Sequence, residues 1–207
     1  MPLFVVFEGG EGSGKSTQAR ALYRQLRRIG VASTLTRDPG GTALGRKTER
    51  LLKQSPGLSP ATELLLFAAS RSLLTASVIR PALLAGMAVV CDRYSPSTTA
   101  YQGYGRGLDL KVVAEVNNLA TGGLQPDVTV LLDIPPEQGL ARKASAAADR
   151  FQGEDTAFHQ RVREGYLAMA AAETQRWLVL DATLPRPTLS TAVWHRVSRL
   201  LGQEGRR

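Results

Sequence analysis

The chain has 207 residues, 43% hydrophobic and 21% charged, which is enough for one well-developed core and short for two. One cysteine excludes an internal disulfide framework, and 20 Gly and 11 Pro exclude a collagenous or low-complexity chain. The net charge of +8 favours polyanionic partners, but the aromatic residues (6%) do not interleave with the arginines as a nucleic-acid stacking platform requires.

In chain order, Leu3 to Glu8 reads as a first strand. Its start, Met1-Pro2-Leu3-Phe4-Val5-Val6-Phe7, lacks the charged opening and small-residue cleavage site of a signal peptide. No apolar run approaches the ~20 residues of a membrane span. The expectation is a cytoplasmic protein with neither membrane nor nucleic acid as partner. Ser16 to Ile29 reads as a helix closed by Gly30, with Arg20, Arg24, Arg27 and Arg28 on one face and Leu22, Leu26 and Ile29 on another. Ser33 to Arg37 follows as a strand, Thr42 to Lys53 as a helix, and Ala61 to Ala85 as a helix bent or broken at Pro81. Ala88 to Asp92 is a third strand, Asp109 to Ala120 a helix and Val128 to Asp133 a fourth strand. Pro136 to Ala147 and Phe158 to Glu173 are helices, Trp177 to Asp181 a last strand and Thr188 to Leu201 a last helix, with Gly202 to Arg207 a frayed tail. Without a repeat or linker, residues 1–207 read as one domain.

Strands separated by helices imply crossover connections, hence an α/β fold with a parallel sheet covered on both faces. Val89-Val90-Cys91 and Val128 to Leu132 are continuous apolar runs, as such a sheet demands, and Cys91 reads as a core residue. Ligands of these sheets bind beyond the carboxyl ends of the strands.

Gly9-Gly10-Glu11-Gly12-Ser13-Gly14-Lys15-Ser16 fits G-x-x-x-x-G-K followed by Ser or Thr, between a strand and a helix. Glycines let the backbone curl so that successive N–H groups point at phosphate oxygens, and the helix N-terminus adds partial positive charge. Lys15, exposed in the loop, reaches the outer phosphates, while the Ser16 hydroxyl can bind magnesium. Asp92 ends the third strand and is placed for the magnesium shell or for holding a base; Arg93 faces the same crevice. Asp133 also ends a strand and reads first as a cap for the helix after Pro135. Glu63, Phe67 and Arg71 share one helical face, so ring and guanidinium line a groove or pack in the core. Thr98, Tyr101 and Gln102 share another face, suited to a planar hydrogen-bonding ligand.

Taken together, these stretches resemble the thymidylate kinases. Phe7 to Thr17 looks like the opening of that family, and Thr36-Arg37-Asp38-Pro39-Gly40-Gly41 is similar to its T-R-E-P-G-G loop, with Asp38 for glutamate. Leu66 to Arg71, Asp92-Arg93-Tyr94, Ala100 to Gly103, Asp149-Arg150-Phe151 and Arg163 to Leu167 follow in the family's order. The resemblance covers Phe4 to about Thr183. It implies a P-loop NTPase fold with a five-stranded parallel sheet and a mobile lid at about residues 142–155. It implies transfer of the ATP γ-phosphoryl to dTMP, with magnesium, by a homodimer.

By the same resemblance, Lys15, Arg93, Arg150 and Glu11 are catalytic. Gly9, Gly10, Glu11, Gly12, Ser13, Gly14, Lys15, Ser16, Thr17 and Arg142 bind the donor, and Ser16 and Asp92 face the metal. Phe67 stacks on thymine, Arg71 meets its carbonyl edge, and Thr98 and Gln102 line the base pocket. Tyr101 crowds the place of a ribose 2′-hydroxyl, Glu11 lies toward the 3′-hydroxyl, and Arg37 and Arg93 hold the acceptor phosphate beside Asp38. Asp181-Ala182-Thr183 resembles the segment bordering adenine. Some members carry arginine where Gly12 stands; others, like this chain, have glycine there and basic residues in the lid. Gln152 stands where the lid motif usually has glutamate, and Glu154 is the nearest substitute. Two alternatives remain from the residues: a kinase for another nucleoside monophosphate or a deoxynucleoside, and a P-loop ATPase or GTPase switch, although no N-K-x-D guanine motif is present.

Overall fold

The structure is a computed structural model describing residues 2–55, 57–142, 151 and 153–203. Four apolar runs and the more polar Ser33–Arg37 form the strands β1 (Leu3–Glu8), β2 (Ser33–Arg37), β3 (Ala88–Asp92), β4 (Val128–Asp133) and β5 (Trp177–Asp181). All pair in parallel, in the order β2-β3-β1-β4-β5. The register aligns the charged strand ends along one edge: Phe7 and Arg37 lie opposite Asp92, Glu8 opposite Leu131, and Asp133 opposite Asp181. The strand order reverses around β1, so a crevice opens at its carboxyl end.

The helices are α1 (Lys15–Arg28), α2 (Ala43–Gln54), α3 (Pro60–Leu74), α4 (Arg80–Leu84), α5 (Ser95–Thr98), α6 (Leu110–Thr121), α7 (Pro136–Ala141), α8 (Thr156–Ala172) and α9 (Arg186–Gln203). Two π-helical turns, Thr75–Ile79 and Thr99–Gly105, follow α3 and α5. Side chains alternate across β1: Leu3, Val5 and Phe7 pack with Leu22, Leu26, Val193 and Val197 of α1 and α9. Phe4 and Val6 pack on the other face with Val89, Cys91, Leu74 and Ile79. A third cluster joins Tyr101, Phe158, Val162 and Tyr166 beneath the site.

Two helices depart from expectation. The helix through Pro81 is continuous: Arg80 N–H bonds back to Thr75 O, five residues away, and this wider turn passes the proline without breaking the helix. The run Pro60–Leu84 is therefore 25 residues long and holds an 18-residue window of mean hydropathy 1.3, so by length and composition it matches a membrane span, contrary to the sequence reading. It buries Glu63 and Arg71 against protein and packs on α2 and α6, as a core helix does. At the C-terminus, Leu200 and Leu201 pack against the first cluster, so α9 continues through Gly202 and Gln203 where fraying was expected. The remaining tail, and the expected helix beyond Arg142, lie outside the described residues.

Candidate active site

The phosphate loop joins β1 to α1 through glycines in left-handed or related backbone: Gly9 at φ 139°, Gly12 at 66° and Gly14 at 92°. At Gly12 the demand is also steric, because a Cβ there would collide with the backbone carbonyl of Gly139 in α7. Lys15 is not exposed, as the sequence suggested, but 7% accessible. Its ammonium donates to Gly9 O at 2.9 Å, Gly10 O at 2.6 Å and Ser13 Oγ at 3.2 Å. Burial, and then the nearby Arg93 charge, draw its pKa down to about 8.

The Ser16 hydroxyl donates to Asp92 Oδ2, joining the start of α1 to the end of β3. This pair of hard oxygens fits magnesium, which takes one or two protein oxygens and completes its shell with phosphate and water. No cluster of three or more His, Cys, Asp or Glu side chains forms a separate metal cage among the described residues. Asp133 does not cap α7. Its two oxygens accept from Arg163 Nε and Nη2 at 2.7 and 2.8 Å, while Pro135 holds the cap position without a side-chain bond. A bidentate guanidinium is a stronger partner than a helix-end amide and takes the carboxylate.

Arg93 turns into the crevice from a left-handed backbone at φ 70°. The turn is held from below by Glu8, which is fully buried. Its carboxylate accepts from Tyr94 N (2.8 Å), Ser97 N (3.2 Å), Ser97 Oγ (2.6 Å) and Tyr166 OH (2.9 Å). Burial raises the Glu8 pKa, while Arg93 and these donors oppose the rise. The Arg93 guanidinium meets Glu11 Oε1 at 2.8 Å, Tyr101 OH at 3.2 Å and Gly9 O at 3.3 Å, and lies 5.1 Å over the Tyr101 ring.

Arg71 is 1% exposed and already partnered. Nε donates to Asp38 at 2.6 Å, Nη1 to Asn117 at 2.7 Å and Nη2 to Thr98 at 2.7 Å. A guanidinium has five N–H donors, so two remain for a ligand. Thr98 thus acts on the pocket partly through Arg71. Asp38 Oδ1 is buried with no hydrogen-bond partner among the described residues. Burial raises the Asp38 pKa and Arg71 opposes it. Phe67 tilts at 50° to Phe151, with centroids 6.1 Å apart, and Gln102 Nε2 donates to Glu63 Oε2 at 2.9 Å. Arg37 pairs with Glu49 at 2.8 Å on an exposed rim, and Arg142 donates to Ala182 O at 2.9 Å.

One cleft of about 760 Å³ gathers these groups. Glu11, Gly12, Ser13, Gly14, Lys15, Ser16, Thr17, Arg37, Asp38, Phe67, Arg71, Asp92, Arg93, Thr98, Tyr101, Gln102 and Arg142 all line it. Gly9 and Gly10 turn their carbonyls to Lys15 beneath it, while Arg150 and Gln152 lie outside the described residues. Glu8, Asn117, Ser97 and Tyr166 were not singled out from sequence. Glu8 and Tyr166 stood in recognised stretches without being assigned a role, and a polar residue spaced into no motif gives no signal.

A phosphate loop, a basic crevice beside it and an aromatic–guanidinium pocket on a β2-β3-β1-β4-β5 sheet define a P-loop nucleoside monophosphate kinase. Residues 7–193 match the family model described as thymidylate kinase. The chain is 54% identical to thymidylate kinase of Dehalococcoides mccartyi (strain CBDB1) over 204 residues, 98% of each chain. It is 49% identical to that of Thermomicrobium roseum over 209 residues, covering 100% and 99%. The crystal structure of thymidylate kinase from Ehrlichia chaffeensis superposes with a TM-score of 0.75 at 35% identity, over 86% of this chain and 92% of that one. The chain belongs to the thymidylate kinase family.

Proposed function

We infer that this chain transfers the γ-phosphoryl group of ATP to dTMP, giving ADP and dTDP. The observation that carries the reading is the continuity of one cleft from the phosphate loop to the Phe67–Arg71 pocket, with Arg93 between them. Two anionic nucleotides meeting there repel, and the transition state spreads negative charge over the transferred group. Lys15 gives up its loop carbonyls for the donor phosphates, and Arg93 bears on the acceptor phosphate with Arg37 at the rim. Glu11 and Tyr101 hold the Arg93 guanidinium and border the sugar. Phe67 covers the base, and the two remaining Arg71 donors face its carbonyl edge. Adenine sits by Ala182, next to Arg142.

Magnesium, held through Ser16 and Asp92, neutralises phosphate charge when bound. Within a single domain over residues 1–207, a lid at about 142–155 supplies Arg150 to the transferred group and excludes water. The enzyme works in the cytoplasm on free nucleotides, with neither membrane nor nucleic acid as partner. A homodimer is supported by the exposed Leu65 and Leu73 of α3 and Val112 and Leu119 of the adjoining α6.

An ADP-release assay over a panel of nucleoside monophosphates tests the reading. dTMP should lead and dUMP follow, since the thymine methyl adds only about 1 kcal/mol of apolar burial. dCMP should trail by about tenfold to a hundredfold, the cost of an unpaired buried amino group facing Arg71. ADP release indifferent to the panel would overturn it.

A further inference from the structure

Arg106 lies just past the π-helical turn Thr99–Gly105 and is not among the residues given a role above. Its guanidinium meets carboxylates from two parts of the chain. Nη2 is 3.2 Å from Glu63 Oε1 and Nε is 3.3 Å from Glu63 Oε2, on α3; Nη2 also donates to Glu154 Oε1 at 2.6 Å. The same group lies 4.6 Å over the Phe158 ring and 6.0 Å from the centre of Phe151, which stands against Phe67 and Tyr101. Glu63 is fully buried, and a carboxylate there needs a cation and donors to remain charged.

Glu63 also decides how Gln102 is oriented. A carboxylate only accepts, so Gln102 must turn its NH₂ group toward Glu63 Oε2, leaving its carbonyl oxygen as the free end of a side chain on the cleft. A thymine or uracil ring presents an N–H at N3, which such an oxygen accepts. Neutral cytosine presents a lone pair there, which it repels.

We propose that Arg106 is a positioning residue for base selection: by holding Glu63 and Glu154 together it keeps the Gln102 carbonyl directed at the base and ties Phe151 and Glu154 to the base pocket. The proposal rests on the dTMP kinase reading. Lysine keeps the charge but cannot span two carboxylates while lying flat on a ring.

The experiment compares the parent with Arg106→Lys, Glu154→Gln and the double variant, measuring KM for dTMP and ATP separately and the dTMP-over-dCMP ratio. Glu154 is partly exposed, so Glu154→Gln reports on a folded protein. Arg106→Lys should raise the KM for dTMP about tenfold and narrow the dTMP-over-dCMP ratio, Glu154→Gln should raise it about threefold, and both should leave the KM for ATP within about twofold. The double variant should be no worse than Arg106→Lys alone, because both substitutions break one network. Unchanged dTMP KM, an unchanged base ratio, an equal loss for ATP, or additive effects would each overturn the positioning role. A parent that does not phosphorylate dTMP would instead overturn the functional reading itself.

Discussion

Lys15 sets a pH limit on donor binding that can be calculated. Its folded pKa of about 8, against an ordinary 10.5, means the ligand-free site disfavours the charged ammonium by about 3 kcal/mol. Donor phosphates reverse that balance, so the bound enzyme should keep its proton well above pH 8. Between pH 7.5 and 9 the protonated fraction of the free enzyme falls from about three-quarters to about one-tenth, so kcat/KM for ATP should fall about eightfold. Over the same range kcat should stay nearly flat. The informative variant is Lys15→Arg, which does not titrate. Lys15→Ala would also remove the ammonium donor shared by the carbonyls of Gly9 and Gly10 and disturb the loop. Steady-state kinetics at saturating dTMP should show a lower but pH-independent kcat/KM for Lys15→Arg. A parent profile flat to pH 9, or the same fall in Lys15→Arg, would refute the assignment.

Arg71→Ala should narrow the preference for dTMP over dCMP in the panel assay and also destabilise the fold by about 3–5 kcal/mol, because Asp38 loses its buried countercharge. Combining it with Asp38→Ala should recover stability in denaturant unfolding without recovering base preference, while Tyr101→Phe should leave base choice unchanged. His159 is 5% exposed and bonded to the Phe151 backbone, and burial holds its imidazole below the usual value. The unfolded chain therefore binds the proton more readily, and stability present above about pH 6.5 is lost as pH falls below it. Thermal melts of His159→Gln should show a shallower loss between pH 7 and 5 than the parent; equal slopes would exclude this contribution.

What could be read from the chain was local. The phosphate loop is encoded in consecutive residues, and β1, β3 and β4 in unbroken apolar runs, because each answers to neighbours a few positions away. Arg71 was found by its helical spacing from Phe67, but its anchors Asp38, Thr98 and Asn117 come from three other segments, and no spacing rule predicts that meeting. Asp133 was misread for the same reason: the local rule offers a helix cap, whereas Arg163, 30 residues on, offers two charged donors. Glu8 read as a strand end, although as a buried acceptor it supports the turn carrying Arg93. Pro81 signalled a disturbance correctly, but the π-helical turn before it absorbs the missing N–H.

The contact between Gly12 and Gly139 carries an evolutionary consequence. A side chain at either position runs into backbone: Gly139 for one, Glu11 for the other. Each glycine is thus demanded by the backbone of a segment 127 positions away in the chain. A single substitution giving this lineage an arginine in the phosphate loop meets an occupied space, and at a backbone torsion that favours glycine. The change becomes accessible only after α7 has shifted away from the loop. Position 12 is thus closed to a larger side chain while α7 packs as it does, and the positive charge facing the donor phosphates comes from elsewhere in the cleft.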